Sequence, residues 1–300
     1  MDPVEYLRRM GGLSAARPLV SACGRAAVAE AVGAAVIVRT GRGRYALPHV
    51  EAGLRAAHGC LGVLSHESAA AWWGWESVRV PETAVVTVPR DRKPRGRKGV
   101  RFSFRALPES DVVAPGVTSA VRTVLDCATT LPYAEALAIA DSAIRHAEVA
   151  RYELTLAAAA SPLRGRARRL RVARTCDGRA ANPFESALRA HALDAGLDVE
   201  PQAWIHTGHG WVRPDLLDDR RGLAVEAESF TWHGRRDQLT RDCRKYNDLV
   251  LIGLTLLRFS WEQVFLRPQE VCDTLQCART GVARWEGALR THPAGQRRSA

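Results

Sequence analysis

Apolar and polar positions repeat along this chain with two different periods, and each change of period marks an element. Val4 and Leu7 fall on one side of a helix over residues 3–10 that Gly11 and Gly12 end, and Ser14 reads as the N-cap of a short second helix. From Gly24 the alanine-rich run RAAVAEAVGAAV keeps helical spacing. It gives way to VIVRTGRGRYALP: a β-branched strand, a Gly-Arg-Gly turn and a returning strand. Helix, helix, helix, hairpin is the order of a winged helix-turn-helix over residues 1–50. Residues 51–160 carry LGVLSHESAAAWWGW, the strands PETAVVTVPR and GVRFSFRAL, and then long helical stretches, which together predict a mixed α/β layer. Ser65 reads there as a helix cap beside a hydrogen-bonded His66, and Trp72, Trp73 and Trp75 as core or interface residues.

After an arginine-rich connection over 161–182 the pattern restarts. Asn182 and Pro183 open a helix as N-cap and first helical residue, and it runs through Ala195 to a stop at Gly196. Two strands, WVRPDLL and GLAVEAESF, flank LDDRRG, whose composition is that of a turn, so they predict an antiparallel hairpin. Period two puts Leu223, Val225 and Ala227 on one face of the second strand, with Glu226 and Glu228 on the other. Folding about a turn near Arg220 brings Asp215 opposite Glu226 or one residue from it. A helix bearing Arg241, Asp242, Arg244, Lys245 and Tyr246 follows, and then the strand LTLLRFS. The expected domains are therefore 1–50, 51–160, a linker over 161–182, a unit over 183–285 and a flexible tail over 286–300, all in a multidomain α/β fold.

Composition fits a globular protein: 46% hydrophobic and 25% charged. No apolar run nears the roughly 20 residues that span a bilayer, and the N-terminus lacks a signal-peptide order, so a cytoplasmic protein is expected with no membrane partner. Seven cysteines without C-x-x-C spacing suggest neither a disulfide framework nor a zinc site, and are read as reduced and mostly buried. The formal charge of +11 is uneven: residues 161–182 hold seven basic residues against one acidic, whereas 183–300 hold 16 of each. A second cluster comprises Arg90, Arg92, Lys93, Arg95, Arg97, Lys98, Arg101 and Arg105, broken by Pro94, Gly96 and Gly99. Such blocks either meet DNA phosphates through counterion release or are solvated loops. In the winged region Arg25 begins the recognition helix, and Arg39, Arg42 and Arg44 sit on the wing, in reach of phosphates or the minor groove. Winged helices also serve protein contacts, so both readings stand.

Chemistry concentrates on the hairpin over 211–230. Carboxylates facing one another across paired strands repel, and a bound cation removes that cost. Oxygen ligands suit Mg²⁺ or Mn²⁺, which activates water and neutralises a scissile phosphate. Pro214-Asp215 followed by Glu226-Ala227-Glu228 matches the spacing and strand context of the PD-(D/E)XK nucleases except at its last position, where Glu228 stands in place of lysine. Either another group supplies the lysine's function, or Glu228 joins the metal shell, or the site is degenerate. Glu185 is at the third helical position, where a capping box explains it without chemistry.

Two resemblances extend this reading. GGLSAARPL, Tyr45-Ala46-Leu47-Pro48, Leu64-Ser65-His66-Glu67-Ser68-Ala69-Ala70, Thr118-Ser119 and Arg122-Thr123-Val124-Leu125-Asp126 resemble the AbiEi antitoxin family over residues 3–155. That resemblance implies a winged helix-turn-helix that represses its own operon, an α/β domain behind it, and a toxin encoded nearby as partner. Glu185-Ser186, Asp215, Val225-Glu226, Trp232-His233, Arg241-Asp242, Arg244 and Leu257-Arg258-Phe259 resemble the Vsr-like endonuclease domain over 182–280. It implies a DNA endonuclease in which Asp215 and Glu226 hold metal and Glu185 supports them. His233 then assists proton transfer or contacts phosphate, against the alternative of a histidine packed beside Trp232. Arg241 and Arg244 become candidate DNA contacts, and Arg258 either a phosphate contact or a partner of the acidic cluster. The runner-up is a non-catalytic, antitoxin-like regulator that keeps the nuclease fold.

Overall fold

The computed structural model describes residues 1–94, 98–228 and 236–281, with the backbone alone at 236–238. They form a multidomain α/β fold in two units, residues 1–178 and 179–300. Arg95, Arg97, His233 and the tail over 286–300 lie outside the described residues.

The first unit opens with α1 (Pro3–Arg9), β1 (Leu13–Ala15), α2 (Ala16–Cys23), α3 (Arg25–Gly33), β2 (Val38–Gly41) and β3 (Arg44–Ala46). Asp2 caps α1 by accepting the Glu5 N–H at 2.9 Å, ahead of a proline in the first turn. The strands pair antiparallel in the order β1-β3-β2, the connectivity of a winged helix-turn-helix, over a core of Leu7, Leu19, Val28, Ile37, Tyr45 and Leu47. Ser14 is not the expected cap. Leu13, Ser14 and Ala15 pair with Ala46, Tyr45 and Arg44, so the chain after Gly12 supplies the wing strand's second neighbour and α2 begins at Ala16.

Next come α4 (Ala52–Cys60), β4 (Val63–Leu64), α5 (His66–Trp72), β5 (Ala84–Val88), β6 (Val100–Phe104), β7 (Val112–Val113) and β8 (Val117–Thr118), whose strands form a mixed sheet in the order β6-β5-β4-β8-β7. Leu13 and Ala46 of the first sheet share a buried cluster with Leu54, Ala57, Leu64, Val86 and Val117, so β1 and β3 also line the core of the layer that follows. Ser65 precedes α5 without capping it. Its hydroxyl accepts from Thr87 and bonds buried His66, whose pKa is lowered by burial. Trp75 is buried and Trp73 donates to the Thr118 carbonyl at 3.1 Å. Of the seven cysteines only Cys127 and Cys176 are buried, a correction to the expectation, since Cys243 and Cys277 lie on outward helix faces.

Four helices complete the unit: α6 (Ala120–Thr130), α7 (Tyr133–Arg145), α8 (Arg151–Ala160) and α9 (Arg166–Thr175). The last corrects the expected linker over 161–182. Val172 and Ala173 of α9 are buried, and buried Arg169 donates to Ser161 Oγ at 3.1 Å and to the Pro162 and Arg164 carbonyls. Part of the basic cluster is likewise committed internally. Arg101 pairs with Glu67, and Arg105 donates to Asp126 at 2.6 Å beside Arg122. Burial pushes the Asp126 carboxyl up, but the hydrogen bonds and charges around it, Arg122 foremost, hold it below its ordinary value.

In the second unit α10 (Pro183–Asp194) leads to β9 (Glu200–Pro201), β10 (Ile205–Thr207), β11 (Gly210–Val212), β12 (Leu216–Asp218), β13 (Leu223–Glu228), α11 (Arg236–Leu251), β14 (Thr255–Ser260), α12 (Trp261–Leu266) and α13 (Pro268–Thr280). The main sheet runs β14-β13-β12-β9, with β13 and β14 parallel across the α11 crossover and the other pairs antiparallel. The single expected strand WVRPDLL is broken. Pro214 has no N–H to give a ladder, so the residues before it pair with β10 in a separate ribbon while Leu216–Asp218 stays in the sheet. No described helix is long and apolar enough to cross a membrane.

Candidate active site

The register of the central hairpin decides where the carboxylates meet. Leu216 pairs with Val225 and Leu217 with Ala224, so one step further Asp215 stands opposite Glu226. Asp215 Oδ2 accepts the Ala227 N–H at 2.8 Å, which anchors it across the strand pair. Behind it Gln202 occupies a left-handed backbone conformation, φ +55°, that a residue with a Cβ rarely adopts. From there its amide nitrogen donates both to Asp215 Oδ1 at 3.1 Å and to Glu185 Oε2 at 2.9 Å. Glu185 also accepts from the Ala181 N–H and from Asn182 Nδ2, each at 2.8 Å. Asn182 caps the helix as expected, its Oδ1 accepting the Phe184 and Glu185 N–H groups, but the expected capping box is not closed, since Glu185 reaches the Ala181 N–H one residue before the cap and not the cap's own. Glu185 therefore serves the helix terminus and the carboxylate cluster at once. Burial, and then the charge of Asp215, raise its pKa.

Glu226 is 4% exposed. Burial and the neighbouring Asp215 push its carboxyl up to about 8, against the opposing pull of Lys245. Lys245 of α11 brings its Nζ to 2.7 Å from Glu226 Oε1. The ammonium is therefore the contact that offsets the burial of this oxygen. Among the described residues no three His, Cys, Asp or Glu side chains converge on a metal position. Two carboxylates do converge, Asp215 and Glu226, and Mg²⁺ commonly takes one or two with waters and substrate phosphate completing its shell. The donor set fits a hard divalent cation.

The remaining candidates divide clearly. Glu228 has other partners: it accepts Arg258 Nε at 2.9 Å and the Tyr246 hydroxyl, and Arg258 lies 4.2 Å from the Tyr246 ring centroid. Burial pushes Glu228 up, but these two hydrogen bonds outweigh it and hold the carboxyl below its ordinary value. Glu228 thus belongs to an ion pair and not to a metal shell, and Arg258 is committed to it as a partner. Arg241 and Arg244 are exposed on α11, as are Arg25 on α3, Arg39 and Arg42 on the wing, and Arg90, Lys93 and Lys98 on the β5–β6 loop, with Arg44 and Arg92 half-buried. Unanticipated from sequence are Gln202, Lys245 and a pair at the ribbon tip, where exposed His209 sets Nδ1 2.6 Å from Oδ1 of buried Asp248. One signal for Lys245 was present: the chain has three lysines against forty arginines, and one of them lies on this helix.

The cost of burying Glu185 beside Asp215 can be read from stability. Glu185→Gln should leave the melting temperature unchanged or raised near pH 8, because it removes a buried charge beside Asp215. A clearly lowered melting temperature near pH 8 would mean that the hydrogen bonds Glu185 accepts outweigh that repulsion.

No protein-family model matches this sequence. Two curated proteins of Mycobacterium tuberculosis, both uncharacterised, are similar to it: Rv2248 of strain ATCC 25618 / H37Rv and MT2308 of strain CDC 1551 / Oshkosh, each 35% identical over 159 residues, half of this chain. The match spans 57% of their length. Among solved structures, the Rv2827C protein of Mycobacterium tuberculosis aligns with a TM-score of 0.34 at 17% identity, over 67% of this chain and 83% of that one.

Proposed function

We propose that the second unit is a metal-dependent nuclease that hydrolyses DNA phosphodiesters, and that the first unit binds DNA through its winged helix and the β5–β6 loop. The observation that carries this reading is the convergence of Asp215, Glu226 and Lys245, backed by Gln202 and Glu185, with the Glu226 carboxyl raised to about 8. Asp215 and Glu226 would hold Mg²⁺ or Mn²⁺, which when bound activates water and neutralises phosphate charge. Lys245 supplies the ammonium that the strand motif lacks at Glu228, now delivered from the crossover helix. Gln202 and Glu185 fix the orientation of Asp215, and Arg241 and Arg244 offer charge to the strand backbone. Both resemblances, to the AbiEi antitoxins and to the Vsr-like endonucleases, fit a protein of DNA defence, repair or toxin–antitoxin control.

One observation favours the second reading, a non-catalytic regulator with a toxin as partner: Lys245 already balances the charge of Glu226 without a metal. Melting with Mg²⁺ or Mn²⁺, alongside a nicking assay on duplex and single-stranded DNA, separates the two. A stabilised protein that nicks DNA supports the nuclease. Duplex binding with neither effect overturns it in favour of the regulator.

Salt dependence tests the role of the first unit. Neutralising Arg90, Arg92, Lys93 and Lys98 together should flatten the slope of log K against log salt by about 0.9 for each charge that meets a phosphate. An unchanged slope would remove the loop from the interface.

A further inference from the structure

The ribbon of β10 and β11 leaves the candidate site and returns to it. Its first strand departs from Gln202 and its second ends at Pro214-Asp215, so both stems rise from residues of the carboxylate cluster. At the tip, the His209–Asp248 contact and a 3.5 Å approach of Thr207 Oγ1 to the other Asp248 oxygen tie the turn to α11. Asp248 lies three residues beyond Lys245, so the ribbon is held at its base and, about one helical turn from the ammonium, at its tip.

The register pairs Ile205 with Val212, His206 with Trp211 and Thr207 with Gly210. Alternation puts Ile205, Thr207 and Val212 on one face, and these are buried or half-buried. Trp204, His206, Trp211 and Arg213 share the other, and all four are exposed. Trp204 and Trp211 are 63% and 66% exposed. The Arg213 guanidinium lies 5.0 Å from the Trp204 ring centroid, and the His206 and Trp211 rings meet edge-on at 5.0 Å. A solvated ribbon face normally carries aliphatic polar and charged side chains. Here every position is a flat π system, and burial in this unit's core accounts for neither tryptophan.

We propose that this face is a stacking platform for unpaired nucleobases of the strand entering the site. That the polymer is DNA rests on the nuclease reading above; the stacking chemistry does not. Every base has a face to offer an indole ring, so such a surface holds a strand with little regard to sequence, and Arg213 adds cation–π and phosphate contacts. Bases in an intact duplex are stacked on one another, so the platform favours single-stranded, frayed or looped substrates. Trp204 and Arg213 each stand two residues from a site residue, within about 7 Å of extended chain. A base held there leaves its neighbouring phosphate close to Asp215 and Glu226.

Full-length protein in EDTA, titrated with a fluorescently labelled 12-nucleotide oligodeoxythymidine, tests the platform without any cleavage. Each of Trp204→Ala and Trp211→Ala should weaken binding on the order of tenfold, and the double variant about a hundredfold. The melting temperature and affinity for duplex DNA should stay unchanged, and Trp211→Phe should retain most of the binding. No oligodeoxythymidine binding by the wild type, or equal binding by a folded double variant, overturns the proposal. If binding depends on both tryptophans but no metal supports nicking, the platform stands and the nuclease reading falls. If the wild type nicks DNA while the double variant binds and cuts single strands normally, the platform alone falls.

Discussion

On the nuclease reading, replacing Lys245 by methionine should reduce DNA cleavage by at least about a hundredfold while leaving a folded protein. Proton-transfer and charge-stabilising groups of this kind are worth typically 10²–10⁴ in rate. Methionine keeps the apolar stem along α11 but removes the ammonium 2.7 Å from Glu226. Lys245→Arg should recover the ion pair and little of the rate, since a guanidinium does not give up a proton and has a different shape. Single-turnover nicking in Mn²⁺, with circular dichroism as the control for folding, is the measurement. Cleavage unaffected in Lys245→Met would make the lysine a structural counter-charge to Glu226.

The second large effect is on stability. In the absence of divalent metal the second unit should lose stability as pH rises from about 5 to about 8. Glu226 is pushed up to about 8 in the folded state, whereas an unfolded glutamate titrates near 4.3. Between those values the folded protein holds a proton that the unfolded chain has released. The contribution of Glu226 is therefore complete below the unfolded value and is lost as pH climbs through the folded one. The loss should be on the order of 2–4 kcal/mol, less than the full shift implies because Lys245 shares the charge. Glu185 shifts in the same direction and adds a smaller slope. Glu226→Gln should flatten most of the decline, and millimolar Mn²⁺ above pH 8 should reverse it in the wild type by occupying the ionised pair. Urea unfolding at pH 5, 6.5 and 8 checks this. A flat profile in the wild type would mean that Glu226 is ionised throughout and the cluster is not strained.

The local elements were legible where one period ran uninterrupted. The hairpin turn near Arg220, the Asn182-Pro183 helix start and the Asp215–Glu226 juxtaposition all follow from periodicity and turn chemistry, and the structure has each of them. Misreadings came where tertiary partners decide. Ser14 has the chemistry of a cap, yet the wing strand required a neighbour and took it into a ladder. The arginines of 161–182 look like linker charge, yet Arg169, Val172 and Ala173, at i, i+3 and i+4, form the buried face of α9. Gln202 carries no motif, because its role depends on a left-handed turn that glutamine does not advertise. Lys245 was readable as an oddity of composition, but its distance to Glu226 depends on how a crossover helix returns over the sheet.

The joint between the units at Gly178–Arg179 has a consequence for how such a chain is inherited. A β-carbon at Gly178 would meet Ile144 Cγ2 at 2.9 Å and the Arg145 backbone nitrogen at 3.0 Å, so the first unit's packing closes on the last residue before the joint. Recombination at that point would transfer residues 179 onward as an intact cassette. A crossover placed a few residues earlier, within the arginine-rich stretch where composition suggests a spacer, would carry α9 away and leave the donor's helical layer open to solvent. Homologous chains that exchange their C-terminal halves should therefore keep this basic helix with the winged half and splice after it.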